Sequence, residues 1–110
     1  MEEQLPHIQV ATSSKRLVCS TLARIDNTSQ EALLDSGSTI SSISIDLVNS
    51  LNLPTSPAAQ IQVVFGDKQQ TYRSSTQAHC TFFLAQHKFL HSFYVLPRQL
   101  FPMTLGCDWF

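Results

Sequence analysis

Chemistry in this chain can rest on one string, Asp35-Ser36-Gly37-Ser38, which follows directly on Ala32-Leu33-Leu34. Three apolar residues drive a strand into the core, and the chain then sets a carboxylate, a hydroxyl and a glycine at its buried end. A carboxylate there is costly unless it is hydrogen-bonded or used in a reaction. Gly37 lets the backbone turn sharply and bring its amide toward the carboxylate. The small Ser36 hydroxyl can hold a neighbouring backbone group. By itself Asp-Ser-Gly is also an ordinary turn, so the elements around it carry the weight.

Those elements read mostly as strands. Leu17, Cys19, Thr21, Ala23 and Ile25 alternate with largely polar neighbours, the period of a half-buried strand. Asp26-Asn27-Thr28-Ser29 supplies turn chemistry, and Ala32-Leu33-Leu34 begins a fully buried partner strand that ends at Asp35. Ser44 to Leu51 is the one helix expected, with Ser44 as N-cap, Asp46 in the first turn, Leu47, Val48 and Leu51 on one face, and Pro54 as its stop. Thr55 to Ala59 reads as a Pro-containing loop. Ile61 to Phe65, Gly66-Asp67 and Lys68 to Arg73 read as a hairpin with an exposed tip. Two more strands are expected at Thr76–Ala85 and Phe89–Leu96, joined by Gln86-His87-Lys88. His7-Ile8-Gln9-Val10 fits a short edge strand within a loose arm over residues 1–15. No repeat of solenoid period is visible.

Length and composition bound the rest. The 110 residues allow one domain. Apolar residues make up 43% and charged residues 14%, well under the usual charged share of about 25%, which argues for a folded domain and against disorder. Seven Lys and Arg against eight Asp and Glu leave a formal net charge of −1. Neither the basic footprint of a nucleic-acid binder nor the polybasic cluster of a membrane-surface protein is present. No apolar run nears the roughly 20 residues that span a bilayer. So small a domain buries a limited share of its surface, and low charge suits a chain that hides part of it in an oligomer. Three cysteines at wide spacing, with no C-x-x-C pair, fit a reducing compartment better than a disulfide framework. The acidic start, Met1-Glu2-Glu3-Gln4, is followed by no apolar segment and does not read as a signal peptide. An intracellular location, in the cytoplasm or a virus-like particle, is expected.

Other candidates carry less. His87 and His91 would face one metal on a helix, but here they flank a strand turn with no third ligand nearby, so no metal and no cofactor are expected. His79 and Cys80 read as strand residues on opposite faces. Cys107 has no base beside it to make a catalytic thiol. Phe82, Phe83, Phe89, Phe93 and Tyr94 read as core, because basic residues are not interleaved with them. Asp108 either caps a terminal helix, the simpler reading, or holds a polar partner from another subunit near the Asp35 loop.

The set of motifs resembles the retroviral-type aspartic proteases, the retropepsins, and especially those of long-terminal-repeat retrotransposon polyproteins. The matching pieces are Ala32-Leu33-Leu34-Asp35-Ser36-Gly37-Ser38, Ser41-Ser42-Ile43-Ser44 leading into Leu47 to Pro54, and Val63-Val64-Phe65-Gly66-Asp67-Lys68. They continue with Phe93-Tyr94-Val95-Leu96-Pro97 and Thr104-Leu105-Gly106-Cys107-Asp108-Trp109-Phe110. The order follows the family from about Arg16 to Phe110, so residues 16–110 read as the protease domain. The resemblance implies a mostly β fold, a small closed retropepsin-like barrel with one short helix, active as a homodimer. Asp35 would be catalytic, Ser36, Gly37 and Ser38 would support its loop, and Phe65, Gly66 and Asp67 would lie in a flap over the substrate. Each subunit brings one Asp-Ser-Gly; two Asp35 carboxyls meeting at a two-fold axis would share a proton. One would activate water and the other protonate the scissile carbonyl, on an extended polypeptide that adds as a strand. The family continues past the position of Phe110 through a helix and a strand that helps form the dimer, so both are expected to be missing here. The flap tip is also poorer in glycine than in viral enzymes.

Two functions follow from this reading. The first is an aspartic endopeptidase that matures a retrotransposon or retrovirus-like polyprotein. The second is an inactive or domesticated module of the same fold that dimerises or binds peptides. An intact Asp35-Ser36-Gly37 favours the first, and a missing C-terminal strand the second.

Overall fold

The computed structural model describes residues 7–10, 18–65, 70–97, 99 and 101–109. Within them the chain forms β1 (His7–Val10), β2 (Val18–Ile25), β3 (Thr28–Asp35), β4 (Ser42–Ser44), α1 (Ile45–Leu51), β5 (Thr55–Phe65), β6 (Gln70–Leu84), β7 (His87–Leu96) and β8 (Met103–Leu105). The fold is mostly β with one short helix, as expected. The strands make one sheet in the order β1-β5-β6-β2-β3-β8-β4-β7, and a further β6–β7 pairing joins the last strand back to the third.

Two hairpins build most of this sheet, and both turns are tighter than the turn residues suggest. Ile25 pairs with Thr28, so the first turn is Asp26-Asn27 alone and the strand starts at Thr28. Leu84 pairs with His87, which makes Ala85-Gln86 the second turn and places His87 and Lys88 in β7. Asp26 and Ala85 both have φ of 54°, a conformation that lets a two-residue loop follow the twist of its strands. Asp tolerates it readily, whereas for Ala85 it is a steric cost.

β5 and β6 depart furthest from expectation. Thr55–Ala59 is not a loop: Thr55, Ser56 and Pro57 pair with Ala78, Gln77 and Thr76. The register shifts between Pro57 and Ile61, a bulge that takes up the proline's missing donor. The two runs Lys68–Arg73 and Thr76–Ala85 merge into the single strand β6. It changes partners along its length, to β5 at one end and to β2 and β7 at the other. β1 is the edge strand anticipated, and it runs parallel to β5 from His7↔Gln62 to Val10↔Phe65.

The helix follows its local signals. Ser44 is extended, and its Oγ accepts from Leu47 N at 3.2 Å, a cap contributing about 1 kcal/mol. Asn52, rather than Pro54, ends the helix. Its φ of 54° and the bond from Leu53 N to Val48 O form a left-handed C-terminal cap. Val48 is buried, and Leu47 and Leu51 pack against the core.

Two clusters hold the layers together. The larger gathers Ala23, Ala32, Ile43, Val48, Cys80, Phe82, Phe93, Met103 and Leu105 from β2, β3, β4, α1, β6, β7 and β8. Phe82 and Phe93 lie at its centre with ring centroids 5.7 Å apart, while Phe83, Phe89 and Tyr94 are only half-buried. Phe83 instead carries the Arg24 guanidinium over its ring at 4.4 Å. The smaller cluster joins Ile61 and Val63 of β5 to Ile40 and Leu96. Among the described residues no helix is long and apolar enough to cross a membrane.

Candidate active site

The position of Asp35 follows from its strand. β3 lies between β2 and β8, pairing antiparallel with one and parallel with the other. Ala32 is fully buried, but Leu33 and Leu34 are only half-buried, so the strand is less enclosed than its apolar run implies. Asp35, its last residue, is 1% exposed. A carboxylate so enclosed must be hydrogen-bonded. Its Oδ1 accepts from Gly37 N at 2.9 Å, the contact that Gly37 was expected to permit. Ser38 N donates to Asp35 O at 3.1 Å and closes the turn. The Ser38 hydroxyl, also buried, donates to Ile40 O at 2.8 Å and sets the backbone beyond. Ser36 is exposed.

The turn after β8 grips this loop. Cys107 N donates to Ser38 O at 2.7 Å, and Cys107 Sγ reaches Ser36 O at 3.0 Å. Gly106 is where the two segments come closest: a Cβ there would stand 2.1 Å from Ile40 O and 2.7 Å from Ser38 O. Only a residue without a side chain fits. Gly106 N donates to Ser41 Oγ at 3.0 Å, and that hydroxyl donates in turn to Asp108 Oδ1 at 2.5 Å. Asp108 Oδ2 accepts from Ser41 N at 3.0 Å. Asp108 therefore holds a polar partner near the Asp35 loop, this chain's own Ser41. Ser41, Gly106 and Asp108 lie 65 or more positions apart across the contact, so no local pattern marks them as one unit. Ser41 stands in one of the pieces that carry the family resemblance, but nothing there assigns it to Asp108.

The proposed flap residues are placed only in part. Phe65 closes β5 opposite Gln70, and Gly66 and Asp67 lie outside the described residues. The base of that hairpin is well anchored, because Ile61 and Val63 pack with Ile40, five positions beyond Asp35. A separate cleft of about 460 Å³ opens beside α1, lined by Ile45, Val48, Arg73, Thr76 and Val95 among others, and none of residues 35–38 reaches it.

His79 and Cys80 take structural places. His79 bridges three strands, with Nε2 2.6 Å from Ser56 Oγ and Nδ1 2.8 Å from Ser92 Oγ. Cys80, on the opposite face, is buried, and its thiol is pushed up to about 11, chiefly by burial and further by the Asp26 carboxylate. His87 is exposed and His91 half-buried. Among the described residues no cluster of His, Cys, Asp or Glu is suited to a metal.

Comparison with known proteins agrees with this architecture. The solution structure of simian foamy virus (mac) protease superposes with a TM-score of 0.55 at 17% identity, over 82% of this chain and 89% of that one. At that identity the likeness is one of fold. No curated protein matches the chain in sequence. Residues 31–110 match the model of the PEG10/RTL1 protease domain. That span takes in the Asp35 loop, the helix, both long hairpin strands and the turn that grips the loop, and the chain belongs to this retropepsin-like family.

Proposed function

We propose that the chain is an aspartic endopeptidase that works as a homodimer, one Asp35 from each subunit meeting at a two-fold axis. The observation that carries this reading is the enclosure of Asp35 at the end of β3, 1% exposed, with its carboxylate oriented by Gly37 N. One such carboxyl cannot act as base and acid together. Two brought together cannot both ionise, so they hold one proton between them. The ionised member takes a proton from water, and the protonated member donates to the scissile carbonyl oxygen. No covalent intermediate is needed. Ser36, Gly37 and Ser38 keep the carboxyl in place. The β5–β6 hairpin, with Phe65, Gly66 and Asp67 toward its tip, covers an extended polypeptide that adds as a strand. The substrate is a retrotransposon or retrovirus-like polyprotein, cleaved in the cytoplasm or in a particle.

Asp35→Asn tests the chemistry directly. Asn fills the same volume and hydrogen-bonds but supplies no base, so cleavage of a peptide library should vanish while the melting temperature holds. Cleavage at the wild-type rate by purified Asp35→Asn would place the chemistry elsewhere. A wild-type chain that stays monomeric and cleaves nothing would favour the inactive, peptide-binding module.

A further inference from the structure

The turn that grips the Asp35 loop reaches beyond it to β7. Phe89, His91 and Phe93 alternate along one side of that strand, and the C-terminal turn lies against the first two. The Trp109 ring meets Phe89 edge-on at 5.3 Å, and Asp108 Oδ1 lies 3.5 Å from His91 Nε2. His91 pairs with Cys80 across the strands and sets its ring against Phe93 at 5.3 Å. Its Nε2 is buried and makes no hydrogen bond among the described residues, a costly state for a polar atom. The contact with Asp108 is just beyond hydrogen-bond length, so a small shift of the turn would close it. On its other side Asp108 takes both the amide and the hydroxyl of Ser41, and Ser41 is fully enclosed. The Ser41 carbonyl accepts from Tyr94 N of the same β7.

We propose that Asp108 is a positioning residue for Asp35, held between Ser41 and His91 so that the C-terminal turn sets where the catalytic loop lies on the sheet. The proposal rests on the endopeptidase reading and extends it to residues that do not touch substrate. Four contacts transmit the position: Cys107 to Ser36, Cys107 to Ser38, Gly106 to Ser41, and Asp108 to Ser41. His91 braces Asp108 from behind and keeps its carboxylate turned toward Ser41.

Asp108→Ala, Asp108→Asn and His91→Phe test this, read by steady-state cleavage of a peptide chosen from the library and by amide hydrogen exchange. Asp108→Ala removes both acceptors from Ser41. It should lower kcat by about ten- to a hundredfold with KM within about twofold, because a displacement of ~1 Å at a reacting group costs rate more than ground-state binding. Asp108→Asn keeps one acceptor oxygen and should recover part of that loss. Exchange should quicken at the amides of Gly37, Ser41 and Cys107 while Leu33 stays protected. His91→Phe keeps the ring and removes the nitrogen; its fall in kcat should be smaller and should not add to that of Asp108→Ala. Unchanged kcat in Asp108→Ala overturns the proposal. Equal losses in Ala and Asn, with faster exchange along all of β3, overturn it as well and leave Asp108 a general stabiliser. Additive losses would remove His91 from the arrangement. If the wild-type chain cleaves no peptide, the endopeptidase reading fails by itself. The exchange data then decide the positioning: acceleration confined to Gly37, Ser41 and Cys107 supports it, and its absence overturns it.

Discussion

At the scale of single residues, the two aspartates of this region sit in opposite surroundings. Asp35 is buried at a strand end with an amide aimed at its oxygen. Asp108 is partly exposed and serves a hydroxyl and an amide of a neighbouring loop. Gly106 matters for what it lacks. Gly106→Ala would push a methyl into the Ile40 carbonyl, which is backbone and has little room to give. The expected loss is roughly 1–3 kcal/mol, the usual range for overpacking, read from the urea midpoint. A stability equal to wild type would show that the turn and the loop are not pressed together. Cys80 offers a second test, through pH. Its folded thiol titrates near 11 against an ordinary 9.0, because burial disfavours the thiolate and the Asp26 carboxylate adds to that. The folded state thus keeps its proton where the unfolded chain loses it. The stability from this thiol is full below pH 9 and is lost as pH rises toward 11. Cys80→Ser should flatten that alkaline decline, measured by denaturant melts across this range.

Among the elements, the hairpins show how short-range choices fix long-range register. Each two-residue turn sets which residues of β2 and β3, or of β6 and β7, stand opposite, and a slip of one would turn Ala32 or Phe82 outward. Ala85 pays a steric cost for its φ of 54°. Ala85→Gly relieves that strain at some expense in unfolded-chain entropy, so a net stabilisation of up to about 1 kcal/mol is expected, seen as a raised melting temperature with unchanged far-ultraviolet dichroism. A lower melting temperature would mean that the methyl group contributes packing of its own. β5 shows the opposite case. Its first residues carry loop chemistry but are drawn into the sheet by β6, and the bulge after Pro57 absorbs the mismatch.

For the whole molecule, the proposed chemistry requires two copies. A chain carrying −1 net charge and a low charged fraction has little electrostatic repulsion to oppose association. If each active site takes one Asp35 from each subunit, adding Asp35→Asn chains should poison the wild type. Activity would then fall as the square of the wild-type fraction, where independent monomers would fall in proportion. Mixtures of wild type and variant at constant total concentration separate the two. The same dyad predicts a bell-shaped pH profile on the acid side of neutrality, with one limb for loss of the shared proton and one for gain of a second. The variant dimer itself should be no weaker, since two amides meet without the cost of two carboxylates.

The sequence by itself determined the β-rich class, the helix from Ser44 to Leu51, the strand that delivers Asp35 and the glycine that turns its loop. These are local properties: alternation, a capping hydroxyl, an apolar run halted by Asp-Ser-Gly. Only the tertiary structure decided that Thr55–Ala59 joins a sheet, that two runs fuse into β6, and that Leu33 and Leu34 are half-buried. It also brought Ser41, His91, Gly106 and Asp108 together behind the Asp35 loop. The physical reason is the same in each case. A strand's partners and a buried side chain's neighbours come from distant parts of the chain, and a hydrogen bond spanning 67 positions leaves no period in the sequence to read.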